Sequence, residues 1–249
     1  MILTRPKYLT IKQQANNSAD IYIYGDIVSD DDKWSDSDTS AVDFRDALKD
    51  MGNVKTINLH INSPGGDVFE GVAIYNMLKQ NSAQINVYVD GLAASIASVI
   101  AMSGDTIFMP SNSMLMIHNA WTIAAGNADQ LRKVADDLEK ISGQTKKSYL
   151  DKAGDKLDSS TLQDLLDAET WLTAQEAVDY GLADEILEPV KAAASINSKF
   201  MDHYHNVPKQ LIDSTSKPSV DKEWLQSVVA KANERNKQIK NIEEVILNG

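Results

Sequence analysis

The chain of 249 residues has no cysteine. Disulfides, thiolate metal sites and cysteine nucleophiles are therefore excluded. It also lacks a long apolar run. "LAASIASVIAM" is its most apolar stretch, and it is too short to cross a bilayer before "SGD" ends it. The opening "MILTRPKYLTIKQQANN" has no apolar core followed by a small-residue cleavage site, so it does not read as a secretory leader. A cytoplasmic location and no membrane partner are the expectations. Basic residues are scarce: 24 Lys and Arg stand against 36 Asp and Glu, a formal net charge of -12. Nucleic acid is thus not expected as a partner, because reading phosphates requires net basic surface. Histidine occurs only four times, and no His/Asp/Glu grouping has zinc spacing, so no metal and no cofactor are expected.

What is present alternates between two periods. "IYIY" at residues 21–24 reads as a strand, and "VKTINLHI" as another. The acidic "VSDDDKWSDSDT" lacks the glycine and terminal glutamate of an EF-hand and reads as a solvated loop. Residues 40–50 predict a short helix. After "NSPGGD" the period lengthens: Val68, Val72, Tyr75 and Leu78 share a helix face, with Asp67 as N-cap and Glu70 as its N3 partner. "INVYV", "TIFM" and "MLMI" are further strands. Asn127 can cap a long helix whose stripe is Leu131, Val134, Leu138 and Ile141. "SSTLQDLLDAETW" is a shorter helix. Thr173 and Glu176 make a capping box for another, stopped by Gly181. Strand, loop, helix and strand in repetition mean an α/β fold. Beyond Pro189 the texture becomes polar and weakly periodic, which reads as a linker, with a terminal helix over Trp224–Leu247.

Two loops can carry chemistry. In "INSPGGD" adjacent glycines can turn backbone N–H groups outward to hold an anion, although a plain strand-to-helix turn has the same composition. No lysine follows, so it is not a P-loop, and the third glycine needed for a dinucleotide fingerprint is misplaced. "GLAASIAS" puts Ser95 in the first turn of a helix, where free N–H groups favour developing negative charge, with the N–H of Ile96 beside it. Ala93 stands where a G-x-S-x-G elbow needs glycine. Ser98, one turn on, more naturally bonds its own helix. A serine needs a base. His118 ends the strand "MLMI", where sites gather in α/β folds, although core histidines occur there too. His60 lies within a strand, and His203 and His205 lie in the polar tail. For the orienting carboxylate, Asp164, Asp167 and Glu169 are all offered, and spacing does not choose among them.

In order, "INSPGGDVFEGVAIYNML", "GLAASIASVIAMSG", "MIHNA" and "TAQEAVDYGLADEI" closely resemble the proteolytic subunit of the Clp protease, and most of all its relatives that act as head-maturation proteases of phages. The resemblance runs from about Ile21 to Leu187. It implies an N-terminal segment (1–20), a peptidase domain (21–188) of repeated β-β-α units in a fold shared with crotonases, and a polar linker with a C-terminal helix (189–249). It implies a serine endopeptidase with Ser95 as nucleophile, His118 as base, and the N–H groups of Gly66 and Ile96 as oxyanion hole. Retaining the family's Asp-x-Glu order selects Asp167 as the acid, with Asp164 the alternative. The helix after Asn127 resembles the handle that joins two stacked rings, so a homo-oligomer is expected.

The departures matter too. The N-terminal segment does not resemble the loops presented to an unfolding ATPase, "WTIAAGNAD" replaces a Gly-Gly turn after the histidine, and some sixty residues are added at the C-terminus. With no Walker motif, ATP-driven unfolding would need an AAA+ partner. Processing of phage scaffold or capsid protein is therefore expected over housekeeping proteolysis, with self-cleavage after Pro189 a further expectation. Rival readings are a crotonase-like acyl-CoA enzyme and a non-catalytic assembly scaffold. Joint Ser95 and His118 disfavour the first, and an intact apparent triad disfavours the second.

Overall fold

Alternation of apolar and polar residues builds the central sheet. The computed structural model describes residues 12–14, 17–189, 198 and 200–208, all within a unit that runs to Ile212. The expected helix at Trp224–Leu247 lies outside the described residues. The strands and α-helices in chain order are β1 (Lys12–Gln14), β2 (Ser18–Tyr24), α1 (Ala41–Met51), β3 (Thr56–Ser63), α2 (Val68–Lys79), β4 (Gln84–Ala94) and α3 (Ile96–Ala101). These are followed by β5 (Thr106–Pro110), β6 (Met114–Ile117), α4 (Ala128–Ala153), α5 (Ser159–Asp167), β7 (Thr170–Thr173), α6 (Ala174–Asp179) and β8 (Glu185–Leu187). Strand and helix alternate as the sequence predicts, and the fold is α/β.

The main sheet runs β1-β2-β3-β4-β5-β8, parallel from β2 onward, with β1 antiparallel at the edge. Each strand sends alternate residues to each face. On β3, Ile57, Leu59 and Ile61 are fully buried, and they join Ile21, Ile23, Val87 and Val89 in the main core. Phe44 of α1, Ile74 and Leu78 of α2 and Ile100 of α3 complete that core. On the opposite, half-buried face, the rings of Tyr22, His60, Tyr88 and Phe108 stack across four strands at centroid spacings of 4.6, 4.9 and 4.8 Å. His60 is held there by Asp90, 2.8 Å from its Nδ1.

The fork in β4 is what positions the site. Its first part, Asn86–Tyr88, pairs with β5, whereas Leu92–Ala94 pair in parallel with β6. β6 in turn pairs with β7 antiparallel. The chain leaves β4 and β6 at neighbouring points, and those exits carry Ser95 and His118.

Most of the expected caps form. Asn127 and Gln130 close a capping box on α4, and Thr173 and Glu176 close one on α6. Asp67 caps α2 by accepting from the N–H groups of Phe69 and Glu70. Glu70 differs from its expected role: its carboxylate accepts from the Ala41 N–H at 2.6 Å, so it joins the start of α1 to α2 instead of completing its own box. The predicted stripe of α4 also differs from an ordinary core face. Only Ser148, Tyr149 and Ala153 are buried on this helix, and Leu131 is 43% exposed.

Candidate active site

The PGG turn, the β4 exit and the β6 exit converge on one cavity of about 550 Å³, lined by Gly66, Ser95, Ile96 and His118 among others. Ser95 follows β4 directly and precedes α3, with φ 54° and ψ −128°. A non-glycine residue there is strained, and such strain persists only where surrounding contacts fix it. The Ser95 N–H donates to the Met116 carbonyl at 2.9 Å, which ties the serine backbone to β6. The sequence places Ser95 within the first helical turn and finds no elbow motif. The structure places it just before the helix, on a sharp strand-to-helix bend, with the fully buried Ala93 two residues earlier.

Register brings the base to the nucleophile. Ala94 of β4 lies opposite Met116 of β6, so the next residues along both strands emerge side by side. His118 Nε2 lies 2.7 Å from Ser95 Oγ. With its Nδ1 protonated, the imidazole accepts the serine proton, which is general-base geometry. Burial pushes the His118 pKa below the usual histidine value, and the charge of Glu169 opposes that shift. Desolvation favours the neutral ring that a base requires.

Two amides stand beside the serine without an internal acceptor among the described residues, those of Gly66 and Ile96. The flanking N–H groups are committed: Gly65 donates to Ser63 Oγ and Asp67 to the Ile27 carbonyl. Gly65 (φ 94°) and Gly66 (φ 145°) adopt a backbone open chiefly to glycine. A Cβ on Gly65 would lie 2.8 Å from Ser95 Cβ, and one on Gly66 2.0 Å from the Ile27 carbonyl oxygen. The glycines thus allow the turn to seat against the serine bend. Gly71 does the same one turn along α2, where a Cβ would lie 2.2 Å from Ile96 Cγ1. Paired outward N–H groups at a nucleophile can stabilise an oxyanion.

Ser98 behaves as a packing residue. It is fully buried, its hydroxyl donates to the Ser95 carbonyl at 2.6 Å, and it lies 2.6 Å from the Tyr149 hydroxyl. That contact ties α3 to α4.

The carboxylates separate by register. The β6–β7 pairing ends with Thr170 opposite Ile117, so Glu169 and His118 are the next residues at the adjoining strand ends, with no hydrogen bond or ion pair between them among the described residues. Asp167 is not brought to His118. Its Oδ1 accepts from Asn119 Nδ2 at 2.7 Å and from Gln163 Nε2 at 2.8 Å. Glu169 is the carboxylate whose charge acts on His118, and it too has a strained backbone, φ 50°. Asp164 lies within α5 and does not line the cavity.

The tail supplies what sequence reasoning missed. Tyr204 is 8% exposed and meets His118 edge-on, centroids 5.4 Å apart. Its hydroxyl donates to the Pro64 carbonyl, and its ring lines the cavity that Ser95 and His118 share. His203 packs on Trp121, centroids 4.7 Å apart, and the backbone N–H groups of His205 and Asn206 donate to Glu169 Oε1 at 2.6 and 3.0 Å. This stretch of the expected linker is therefore docked. Its signal in the sequence is slight: Phe200 and Tyr204, with His203 and His205, in a polar segment.

Among the described residues no helix is long and apolar enough to cross a membrane, and no group of three or more His, Asp or Glu is placed to hold a metal ion. Comparison with known proteins gives one consistent result. Residues 7–190 match the family model described as Clp protease. A protein of Bacteroides fragilis named "ATP-dependent Clp protease proteolytic subunit" is 34% identical over 136 residues, 53% of this chain and 64% of that protein. A protein of the same name from Ligilactobacillus salivarius is 36% identical over 139 residues, covering 55% of this chain and 70% of that protein. The match thus spans a little under two thirds of the Bacteroides relative.

Proposed function

The chain belongs to the Clp protease family, and on that premise we propose that it is a serine-type endopeptidase with Ser95 as nucleophile and His118 as base. The observation that carries this reading is the 2.7 Å contact between Ser95 Oγ and His118 Nε2 at a strained bend, beside the amides of Gly66 and Ile96, which have no acceptor among the described residues. His118 takes the serine proton as Oγ attacks a peptide carbonyl. The two N–H groups receive the developing oxyanion, a contribution of about 3–4 kcal/mol per donor. Protonated His118 then gives its proton to the leaving amine, and water hydrolyses the acyl-enzyme. We assign the orienting carboxylate to Glu169 on its place at the strand end adjoining His118, since Asp167 is held by Asn119 and Gln163.

The proposed working form is a homo-oligomer of stacked rings that encloses the sites, with a protein or peptide substrate. Phage scaffold or capsid protein is the proposed substrate, on the sequence resemblance to head-maturation proteases. The relatives' name supports a second reading, a proteolytic subunit fed by an AAA+ unfoldase. A fluorophosphonate probe tests the chemistry. Labelling is expected in the wild type and in Ser98→Ala but not in Ser95→Ala, and loss only in Ser98→Ala would overturn the assignment. Co-expression with capsid and scaffold protein tests the substrate. Ser95-dependent cleavage without added ATPase supports head maturation, whereas cleavage that requires an unfoldase and ATP supports the second reading.

A further inference from the structure

Glu169 occupies a strained turn, and a strained turn must be held from outside. The residues that hold it come from the tail. His205 and Asn206 donate two backbone N–H groups to Glu169 Oε1, and Asn206 Nδ2 donates to the Ala168 carbonyl at 3.0 Å. The same segment walls the base: the Tyr204 ring stands edge-on to His118 and 6.0 Å from the Trp171 ring. Tyr204 is seated in a small apolar cluster of Leu92, Ala94 and Met116, separate from the main core. Leu92 and Ala94 belong to the β6-pairing end of β4, so this cluster lies on the strands that deliver Ser95 and His118. The family match ends at residue 190, so the segment is an addition to the region this chain shares with the family.

We propose that the segment from Phe200 to Asn206 is a positioning element of the catalytic centre, which clamps the Glu169 turn and walls His118 so that carboxylate and imidazole stay in register. The proposal rests on the serine-peptidase reading above. The geometry distinguishes a clamp from a plug. Phe200 and Tyr204 form part of the wall of the 550 Å³ cavity, and Ser95 and His118 still line it. Tyr204 spends its single proton on the Pro64 carbonyl, so it has none to offer Ser95, whose own proton faces His118. The titratable groups around the imidazole come from two elements. Glu169 faces it from the turn before β7, and Tyr204 from the tail. Nearby, Asp167 of α5 reaches Asn119, His203 lies on Trp121, and His205 Nδ1 is 3.5 Å from Glu169 Oε2.

The test uses the full chain and two readouts. One is the rate at which a fluorophosphonate labels Ser95. The other is the titration midpoint of His118, followed by NMR of protein labelled with 15N-histidine. Asn206→Ala deletes the bond to Ala168 and touches neither Ser95 nor His118. It is expected to slow labelling roughly 10- to 100-fold and to lower the His118 midpoint, because Glu169 drifts from the imidazolium it supports. Tyr204→Ala is expected to slow labelling at least as much, and Tyr204→Phe to recover most of that loss by restoring the wall. An unchanged His118 midpoint in Asn206→Ala would overturn the clamp. Faster labelling in Asn206→Ala or Tyr204→Ala would also overturn it and make the segment a plug. Absence of Ser95-dependent labelling in the wild type would instead defeat the peptidase reading, while the midpoint comparison would still decide the clamp.

Discussion

Ser95 holds a conformation that costs a non-glycine residue of order 1–3 kcal/mol. Ser95→Ala keeps that backbone strain and Ser95→Gly releases it. Both variants are expected to lose labelling, and Ser95→Gly is expected to be the more stable by about 1 kcal/mol in denaturant titration. Equal midpoints would mean that the bend is not strained. For His118 the sign of the pH dependence follows from burial, the larger influence on its pKa. The base works when neutral, so kcat/KM climbs as His118 loses its proton, and a depressed pKa moves that climb below the usual histidine range near 6.5. A pH–rate profile on an unstructured protein substrate checks this, and a climb above pH 7 would contradict it. The carboxylates are separable in the same assay. Glu169→Gln is expected to lower kcat about 100-fold or more, and to move the climb to lower pH because the ring loses its counter-charge. Asp167→Asn keeps the amide-to-oxygen contact with Asn119 available and is expected to cost under tenfold. The reverse ranking would return the acid to Asp167.

At the level of elements, the short-range signals were legible and the pairings were not. The caps at Asn127 and Thr173 could be read because each is decided within four residues. Ser95 could be read as a candidate because it stands at the start of a helix and His118 because it ends a strand, and their resemblance to one ordered set of motifs joined them. The choice between Asp167 and Glu169 turns on how four residues of β7 align with β6, and no local pattern encodes that alignment. The family's Asp-x-Glu order selected Asp167, whereas register favours the glutamate two positions on. The Phe200–Asn206 segment was hidden for a related reason: its few apolar side chains have no period, because they fill a cluster left by other elements. Helix proximity gives a further prediction. Gly71→Ala would drive a methyl into Ile96, whose N–H is a proposed oxyanion donor. Overpacking of this kind costs about 1–3 kcal/mol. A lower thermal midpoint together with slower Ser95 labelling is expected, and an unchanged labelling rate would show that α2 does not fix the donor.

For the whole molecule, the long helix α4 is the informative part. Its last turns pack through Tyr149 and Ala153, while Leu131, Val134, Leu138 and Ile141 on its earlier turns are not buried by the described residues. Leu131 is exposed and the other three are partly buried, and an apolar stripe left incompletely covered in this way suits an association surface. This one lies on the helix that resembles the ring-joining handle. Leu131→Asp with Leu138→Asp is expected to yield smaller, folded particles in light scattering after size exclusion, and slower labelling because the site is no longer braced. An unchanged mass would remove α4 from the interface. The four-ring stack of Tyr22, His60, Tyr88 and Phe108 has a practical consequence at this same scale. Chromophores fixed face to face across parallel strands are sensitive to chiral surroundings, and near-ultraviolet circular dichroism vanishes when side-chain order is lost even if backbone order survives. The molecule thus carries an optical gauge of strand alignment, built into the sheet, by which damage to the scaffold can be told from damage to the chemistry in the variants above that leave every aromatic side chain in place.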